Sequence, residues 1–356
     1  MTRRLLQAIA GAPHGGAETF FLRLAAALQR AGEPQRVLIR RDPARAQALR
    51  AAGVAVAELA FGGAFDLATR LGFRREIAAW RPSIVLTWMS RATRLCPRGD
   101  FVHVARLGGY YDLKYYGRCD HLIGNTRAIV DYAVAKGWPR DRIDYLPNFV
   151  PDANAAEATL AAAPRTFRAG TPLALALGRL HPNKGFDLLL EALAATRGVH
   201  IWIAGDGPLR PQLEQLAIRL GVAERVRFLG WRQDVPALLA SADLLVCPSL
   251  HEPLGNVVIE AWSAGLPVVA TASDGPVGLI EDGETGILVP LPGSPGGGPK
   301  ALARAIESVC RDPELCARLG QAGRRAYEAE FTEEAVVARY RSFFDRLRPQ
   351  CAVSPG

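Results

Sequence analysis

Short apolar runs alternate with stretches of helical period along this chain, and the series restarts once past the middle. Leu5 to Ala10, Val37 to Arg40, Val54 to Leu59, Ile84 to Thr87, Phe101 to Ala105 and Leu122 to Gly124 read as strands that are apolar on both faces. From Glu18 to Arg30, the residues Phe21, Leu22, Leu24, Ala25 and Leu28 keep a helical spacing. Such alternation predicts a parallel sheet covered by helices on both sides. The second series comprises Leu173 to Leu177, His200 to Ala204, Val226 to Leu229, Leu244 to Cys247, Val268 to Ala270 and Ile287 to Val289. The fold class expected is therefore α/β, with two facing doubly wound parallel-sheet domains and a cleft between them lined by strand-end loops. A chain of 356 residues suits two domains. The stretch PDANAAEATLAAAPRTFRAG, 151 to 170, lacks apolar periodicity and reads as the linker. This sets expected domains at 1–160 and 161–331, with a final helix over about 332–348.

Composition removes several classes. Hydrophobic residues make up 49% and charged residues 22%, so the chain can bury sizeable cores. No apolar run approaches the roughly 18 residues of a spanning helix. The opening MTRRLLQAIAGAPHGGAE runs into a glycine turn and reads as a first core strand rather than a signal peptide. Cysteines 96, 119, 247, 310, 316 and 351 form no CxxC pair and no metal-ligand spacing with histidine. A cytoplasmic location is expected. The net charge of +8 is carried by arginine, since Lys114, Lys136, Lys184 and Lys300 are the only lysines. That excess suits a nucleotide, an anionic lipid surface or a phosphorylated glycan. The arginines are scattered and not interleaved with aromatics, which argues against nucleic acid.

The segment SLHEPLGNVVIEA, 249 to 261, carries the most chemistry. It reads as a strand end, a polar loop and a helix opening near Asn256, with Glu252 and Glu260 separated by seven residues. The backbone N–H groups of Leu254, Gly255 and Asn256 open that helix without intrahelical partners, which suits a phosphate. Carboxylates flanking it, with Pro253 in the loop, suit sugar hydroxyls. A diphosphate held between two sugars fits both. Other strand-end loops repeat the theme. GGAE brings Gly15 and Gly16 to the start of the first helix, where backbone can approach a ligand. GRLHPNKG supplies Gly178 and two cations, Arg179 and Lys184, but lacks a phosphate-loop ending. GDGP supplies Asp206, read as a loop or N-cap residue, and Gly207. After Gly230, Trp231 and Arg232 form an exposed loop that could hold a nucleobase through backbone groups, or Trp231 could only cap the core.

In this order, GGAE, GRLHPNKG, GDGP and EPLGNVVIE resemble the retaining nucleotide-sugar glycosyltransferases of family 4, which have the GT-B fold. The resemblance implies that Arg179 and Lys184 grip the donor diphosphate, Glu260 accepts from ribose, and Glu252 contacts the transferred sugar. Leu254 to Asn256 and Gly16 would hold phosphate through the backbone, and the base would lie near Gly230 to Arg232. It implies too that the final helix crosses back onto the first, acceptor-binding domain, leaving the second for the donor. Family members carry a histidine at the end of the strand that here reads FVHVARLGGYY. His103 falls several residues early and reads as a core histidine, and Arg106 to Gly109 take the expected place.

The reaction expected is transfer of a sugar from a UDP- or GDP-sugar to a hydroxyl of a glycan or lipid-linked acceptor, as in lipopolysaccharide or exopolysaccharide synthesis. No DxD triplet occurs, so neither metal nor cofactor is expected, and Arg179, Lys184 and helix N-termini would meet the leaving group's charge. A front-face mechanism is what the resemblance implies. Tyr110, Tyr111, Tyr115 and Tyr116 in GGYYDLKYYGR could stack on acceptor sugars or lie on an amphipathic surface helix. Arg3, Arg4, Arg91, Arg94, Arg98 and Arg118 could meet acceptor phosphates at the inner face of the plasma membrane. The rival readings are a UDP-sugar epimerase on a similar scaffold and a non-catalytic sugar-nucleotide binding protein.

Overall fold

A computed structural model describes residues 3–12, 15–63, 66–153 and 170–347. The chain forms two compact units, Met1–Asn148 with Glu333–Gly356, and Phe149–Thr332. Most of the linker stretch, residues 154–169, and the boundary drawn at 160 fall outside the described residues.

The first unit holds a seven-stranded sheet built from β1 (Leu5–Ile9), β2 (Gln35–Arg40), β3 (Ala55–Leu59), β4 (Ile84–Trp88), β5 (Val102–Leu107), β6 (His121–Gly124) and β7 (Ile143–Tyr145). The order is β3-β2-β1-β4-β5-β6-β7 and every pair is parallel. β1 and β4 are buried along their whole length, so water reaches neither face. That is why these strands are continuous apolar runs and not alternating ones. Five helices precede the end of this sheet: α1 (Gly16–Arg30), α2 (Pro43–Ala51), α3 (Leu67–Trp80), α4 (Met89–Leu95) and α5 (Arg127–Ala135). The apolar periodicity of α1 buries Phe20, Phe21, Leu24 and Leu28. Asp42, Asp66 and Thr126 cap α2, α3 and α5, each accepting from a backbone N–H three residues on.

The second unit repeats the plan with six strands: β8 (Leu173–Leu177), β9 (His200–Ala204), β10 (Val226–Gly230), β11 (Leu244–Cys247), β12 (Val268–Thr271) and β13 (Ile287–Val289). Its order, β10-β9-β8-β11-β12-β13, is again parallel throughout. Around it lie α6 (Phe186–Ala195), α7 (Arg210–Arg219), α8 (Val235–Ser241), α9 (Asn256–Ser263), α10 (Asp274–Leu279), α11 (Pro299–Arg311) and α12 (Pro313–Glu330). Both sheets reverse strand order once, between β1 and β4 and between β8 and β11. Ligands of such sheets bind outside the carboxyl ends at that point.

The chain's last helix, α13 (Glu333–Arg346), belongs to the first unit and buries Val336, Val337, Tyr340, Phe343 and Phe344. Arg3 ties it to the sheet: its guanidinium donates to Glu33 Oε1 at 2.6 Å, to Asp345 Oδ1 at 2.7 Å and to the Arg341 carbonyl at 3.2 Å. Arg3 is thus a buried structural cation, contrary to its expected place among surface arginines facing acceptor phosphates. The sequence pattern also overlooks β7 and α4, each too short to show a period.

Candidate active site

In the second unit, the motif loops meet at the β8/β11 switch point. Gly178 follows β8, and the 3-10 turn Pro182–Lys184 leads through Gly185 into α6. Gly185 has φ +60° and packs so closely on Pro248 that a Cβ would overlap that carbonyl. The His251 N–H donates to the Asn183 carbonyl at 3.1 Å, stitching the same loop to the segment after β11. Lys184 Nζ is thereby brought onto Glu252 Oε2 as a direct ion pair. The other oxygen, Glu252 Oε1, accepts from the Gly255 N–H at 3.3 Å. Gly255 adopts φ +79° and caps α9, so the carboxylate sits at that helix's positive end. A further backbone clamp holds this loop: the Gly275 N–H donates to the Glu252 carbonyl at 2.6 Å, and a Cβ on Gly275 would lie 2.6 Å from that oxygen.

Glu252 is 9% exposed, while Pro253, Leu254, Asn256 and Glu260 are half-buried along the loop and first turns of α9. Arg179 is exposed one residue after Gly178. The methylenes of Lys184 pass beside Gly178, 3.5 Å from where a Cβ would stand. On the β9 side, Gly205 and Gly207 press on the backbone of Gly178 and Leu180, leaving no room for a side chain at either glycine. Asp206 is exposed, and its Oδ1 accepts from the Gly207 N–H at 2.7 Å; α7 begins only at Arg210, so Asp206 is a loop residue and not that helix's N-cap. The Gly205 N–H donates to the Gly230 carbonyl at 2.8 Å, and Trp231 beyond it is 73% exposed. Arg232 is paired with Asp234 at 2.7 Å, which raises the guanidinium's pKa and lowers the carboxyl's.

The first unit's switch point is built differently. Glu18, in the first turn of α1, is buried and its Oε1 accepts from the Ala12 N–H at 2.7 Å. Its side chain fills the space beside Gly11 and Gly15: a Cβ on Gly11 would stand 2.7 Å from Glu18 Cγ. Gly16 has open space around it. Across the switch point, Met89 follows β4 with φ +62°, a left-handed conformation that costs a side-chain-bearing residue energy. Arg106 near the end of β5 is 2% exposed, lying between the rings of Phe20 (4.8 Å) and Trp88 (4.6 Å). It donates to the Tyr340 hydroxyl at 3.1 Å and to Asn148 Oδ1. Its guanidinium is used within the unit and anchors α13.

His103 is 5% exposed, with Nε2 at 3.0 Å from the Thr87 hydroxyl. Burial lowers its pKa to about 4, keeping it neutral, as suits a core histidine. The tyrosine segment is not an amphipathic helix, for only Leu113–Tyr115 makes a 3-10 turn. Tyr116 is fully buried against Ser90 and stacks with half-buried Tyr111 at 6.3 Å. Tyr110 is 36% exposed and sits edge-on to Tyr132. Asp112 caps that single 3-10 turn, its Oδ1 accepting from the Lys114 N–H at 3.0 Å. The sequence offers Glu18 only as the end of GGAE and Arg106 only as an occupant of the place where family members carry a histidine; that both are buried and shape the switch point comes from the structure. The one local signal for Glu18 is an acid in the first turn of α1, two residues after the glycine pair Gly15–Gly16.

Residues 14–154 match Glycosyltransferase Family 4, and residues 171–312 match Glycosyl transferases group 1. The lipopolysaccharide core biosynthesis glycosyltransferase LpsE of Rhizobium meliloti (strain 1021) is 36% identical over 336 residues, spanning 92% of this chain and 94% of that protein. The chain belongs to glycosyltransferase family 4. Among solved structures, a glycosyltransferase from Rickettsia africae ESF-5 superposes on this glycosyltransferase with TM-score 0.85 at 17% identity, covering 98% of this chain and 99% of that one. HepE of Anabaena, solved with UDP and glucose, gives TM-score 0.77 at 22% identity over 97% and 100% of the two chains. These likenesses give the glycosyltransferase the GT-B fold, in keeping with its two doubly wound sheets. Among its described residues, no helix is long and apolar enough to cross a membrane.

Proposed function

We propose that this glycosyltransferase moves a hexose from a UDP- or GDP-sugar to a hydroxyl of a lipopolysaccharide-type glycan or lipid-linked acceptor, with retention at the anomeric carbon. The observation that carries this reading is the Lys184 ammonium bound to Glu252 at the N-terminus of α9, at a strand-order switch point. A diphosphate arriving there would compete with Glu252 for the ammonium and meet the helix's positive end. Release of Glu252 would leave its carboxylate beside the transferred sugar's hydroxyls, and Glu260 would take the ribose. Arg179, one residue past Gly178, would add a second cation. Gly230, Trp231 and Arg232 would border the base; Gly178, Asp206 and Gly207 would shape the floor.

As the glycosidic bond breaks, negative charge grows on the diphosphate oxygen. Fixed cations and N–H groups stabilise that charge more than the ground state, which lowers the barrier. The departing phosphate takes the acceptor hydroxyl's proton, so no protein base is needed on that face. The kinship with a lipopolysaccharide core enzyme supports the acceptor class. The first unit, with Tyr110 and Tyr111, would take the acceptor, the protein working peripherally at the inner face of the plasma membrane.

A thermal-shift screen of UDP-, GDP- and ADP-sugars, followed by transfer assays onto core oligosaccharide, tests the reading. A rise in melting temperature and a glycosylated product are expected. An epimerised sugar nucleotide without acceptor, or binding with no turnover on any acceptor, would replace transfer with one of the rival activities.

A further inference from the structure

The first unit contains a cavity of about 370 Å³ lined by Arg70, Arg74, Arg94, Arg98 and Arg118 over a floor of Leu95, Cys96 and Pro97. This volume lies within the range of roughly 300–1,000 Å³ typical of small-molecule sites. The arginines come from α3, α4 and two separate loops, so no local charge run announces them. Among the described residues, none of the five forms an ion pair. Burial pushes the Cys96 thiol up to about 12, so it stays protonated and supplies no counter-charge. Five like charges around one hollow repel each other, and an anion there relieves that repulsion. Guanidinium forks match phosphate oxygens bidentately. Arg94 is already braced by stacking over Tyr115 at 5.1 Å. Beside the rim, Leu67 and Leu71 of α3 stand 68% and 64% exposed, at helical spacing with Arg70 and Arg74.

We infer that this five-arginine cavity is a binding site for a ligand carrying two or more phosphate groups, separate from the residues proposed to hold the donor. The phosphates could belong to a soluble phosphorylated saccharide or to lipid headgroups, with the two exposed leucines resting on acyl chains in the latter case. The inference does not rest on the transfer reaction, and a failure of either leaves the other standing.

Titration calorimetry of the full chain with glucose 1,6-bisphosphate, and sedimentation with phosphatidylcholine vesicles with or without phosphatidic acid, tests it. Three proteins are compared: the natural chain, Arg74→Gln/Arg94→Gln, and Lys184→Ala. We expect the double variant to keep its melting temperature and to lose at least about tenfold in affinity for whichever probe binds. Lys184→Ala should retain that affinity. Binding of the bisphosphate alone assigns a saccharide phosphate, and preference for phosphatidic acid vesicles assigns a lipid. Should neither probe bind, or should the arginine variant bind as well as the natural chain, the inference is overturned.

Discussion

The two sheets share one topology, yet their switch points are closed by different material. In the second unit, backbone lies on backbone: Gly205 on Gly178, Gly207 on Leu180, Gly185 on Pro248 and Gly275 on Glu252. In the first, side chains do the closing, with Glu18 folded against Gly11 and Gly15 and Arg106 wedged between Phe20 and Trp88. Backbone contacts cannot adjust without moving whole strands. Side-chain contacts can adjust by changing rotamer. The second unit should therefore be rigid around a fixed set of backbone contacts, and the first should be more open to change.

That contrast can be broken by substitution. Gly205→Ala should have the largest effect, because its Cβ would overlap the Gly178 carbonyl and φ is +146°. A loss of about 4 kcal/mol is expected in urea denaturation. A small loss would mean that the backbone contact yields after all. Next, Lys184→Ala should slow transfer about 100- to 1,000-fold, or about 3–4 kcal/mol, as expected for losing a preorganised charge. Its melting temperature should change much less than its rate, since Glu252 keeps the Gly255 N–H and the positive end of α9 as partners. A folded Lys184→Ala chain with full transfer rate would remove the donor assignment.

The pH prediction sharpens the difference between the units. His103 is held neutral by burial, with Asp120 the nearby charge opposing the effect and Cys119 and Thr87 its other polar neighbours. Its folded pKa, about 4, lies below an unfolded value near 6.5. Between those values the unfolded chain binds a proton that the folded chain does not. Stability from this group is therefore complete above about pH 6.5 and is lost as pH falls toward 4, by as much as about 3 kcal/mol. His103→Gln should flatten that part of the stability profile, measured by denaturation across pH. An unchanged slope would show that His103 does not set it.

Gly15→Ala should do least, about 1 kcal/mol, because the new methyl meets only the movable carboxylate of Glu18. Combined with Glu18→Ala, the glycine substitution should become nearly neutral. Additive losses in that double-mutant cycle would show that the Gly15 backbone, rather than Glu18, sets the cost.

Much of the architecture was legible from local pattern. Strands at Leu173–Leu177, His200–Ala204, Leu244–Cys247 and Ile287–Val289 were readable to the residue, because a fully buried parallel strand is a bounded apolar run. The strand-end loops of the second unit were readable too, since glycine and paired charge sit beside each strand. The tyrosine segment was not, for aromatic content does not distinguish a surface helix from a turn packed on Ser90 and Tyr132. Arg3 looked like a surface cation until Glu33 and Asp345 came to meet it.

The sequence by itself determined the βα alternation, its restart, and which loops carry glycine and charge, because these follow from spacing within a few residues. Only the tertiary structure decided who meets whom. Lys184 finds Glu252 across 68 positions, Arg106 finds Tyr340 across 234, and five arginines converge from four separate places. Strand order and helix packing set those meetings, and a spacing rule that reaches one or two turns along the chain has no means of expressing them.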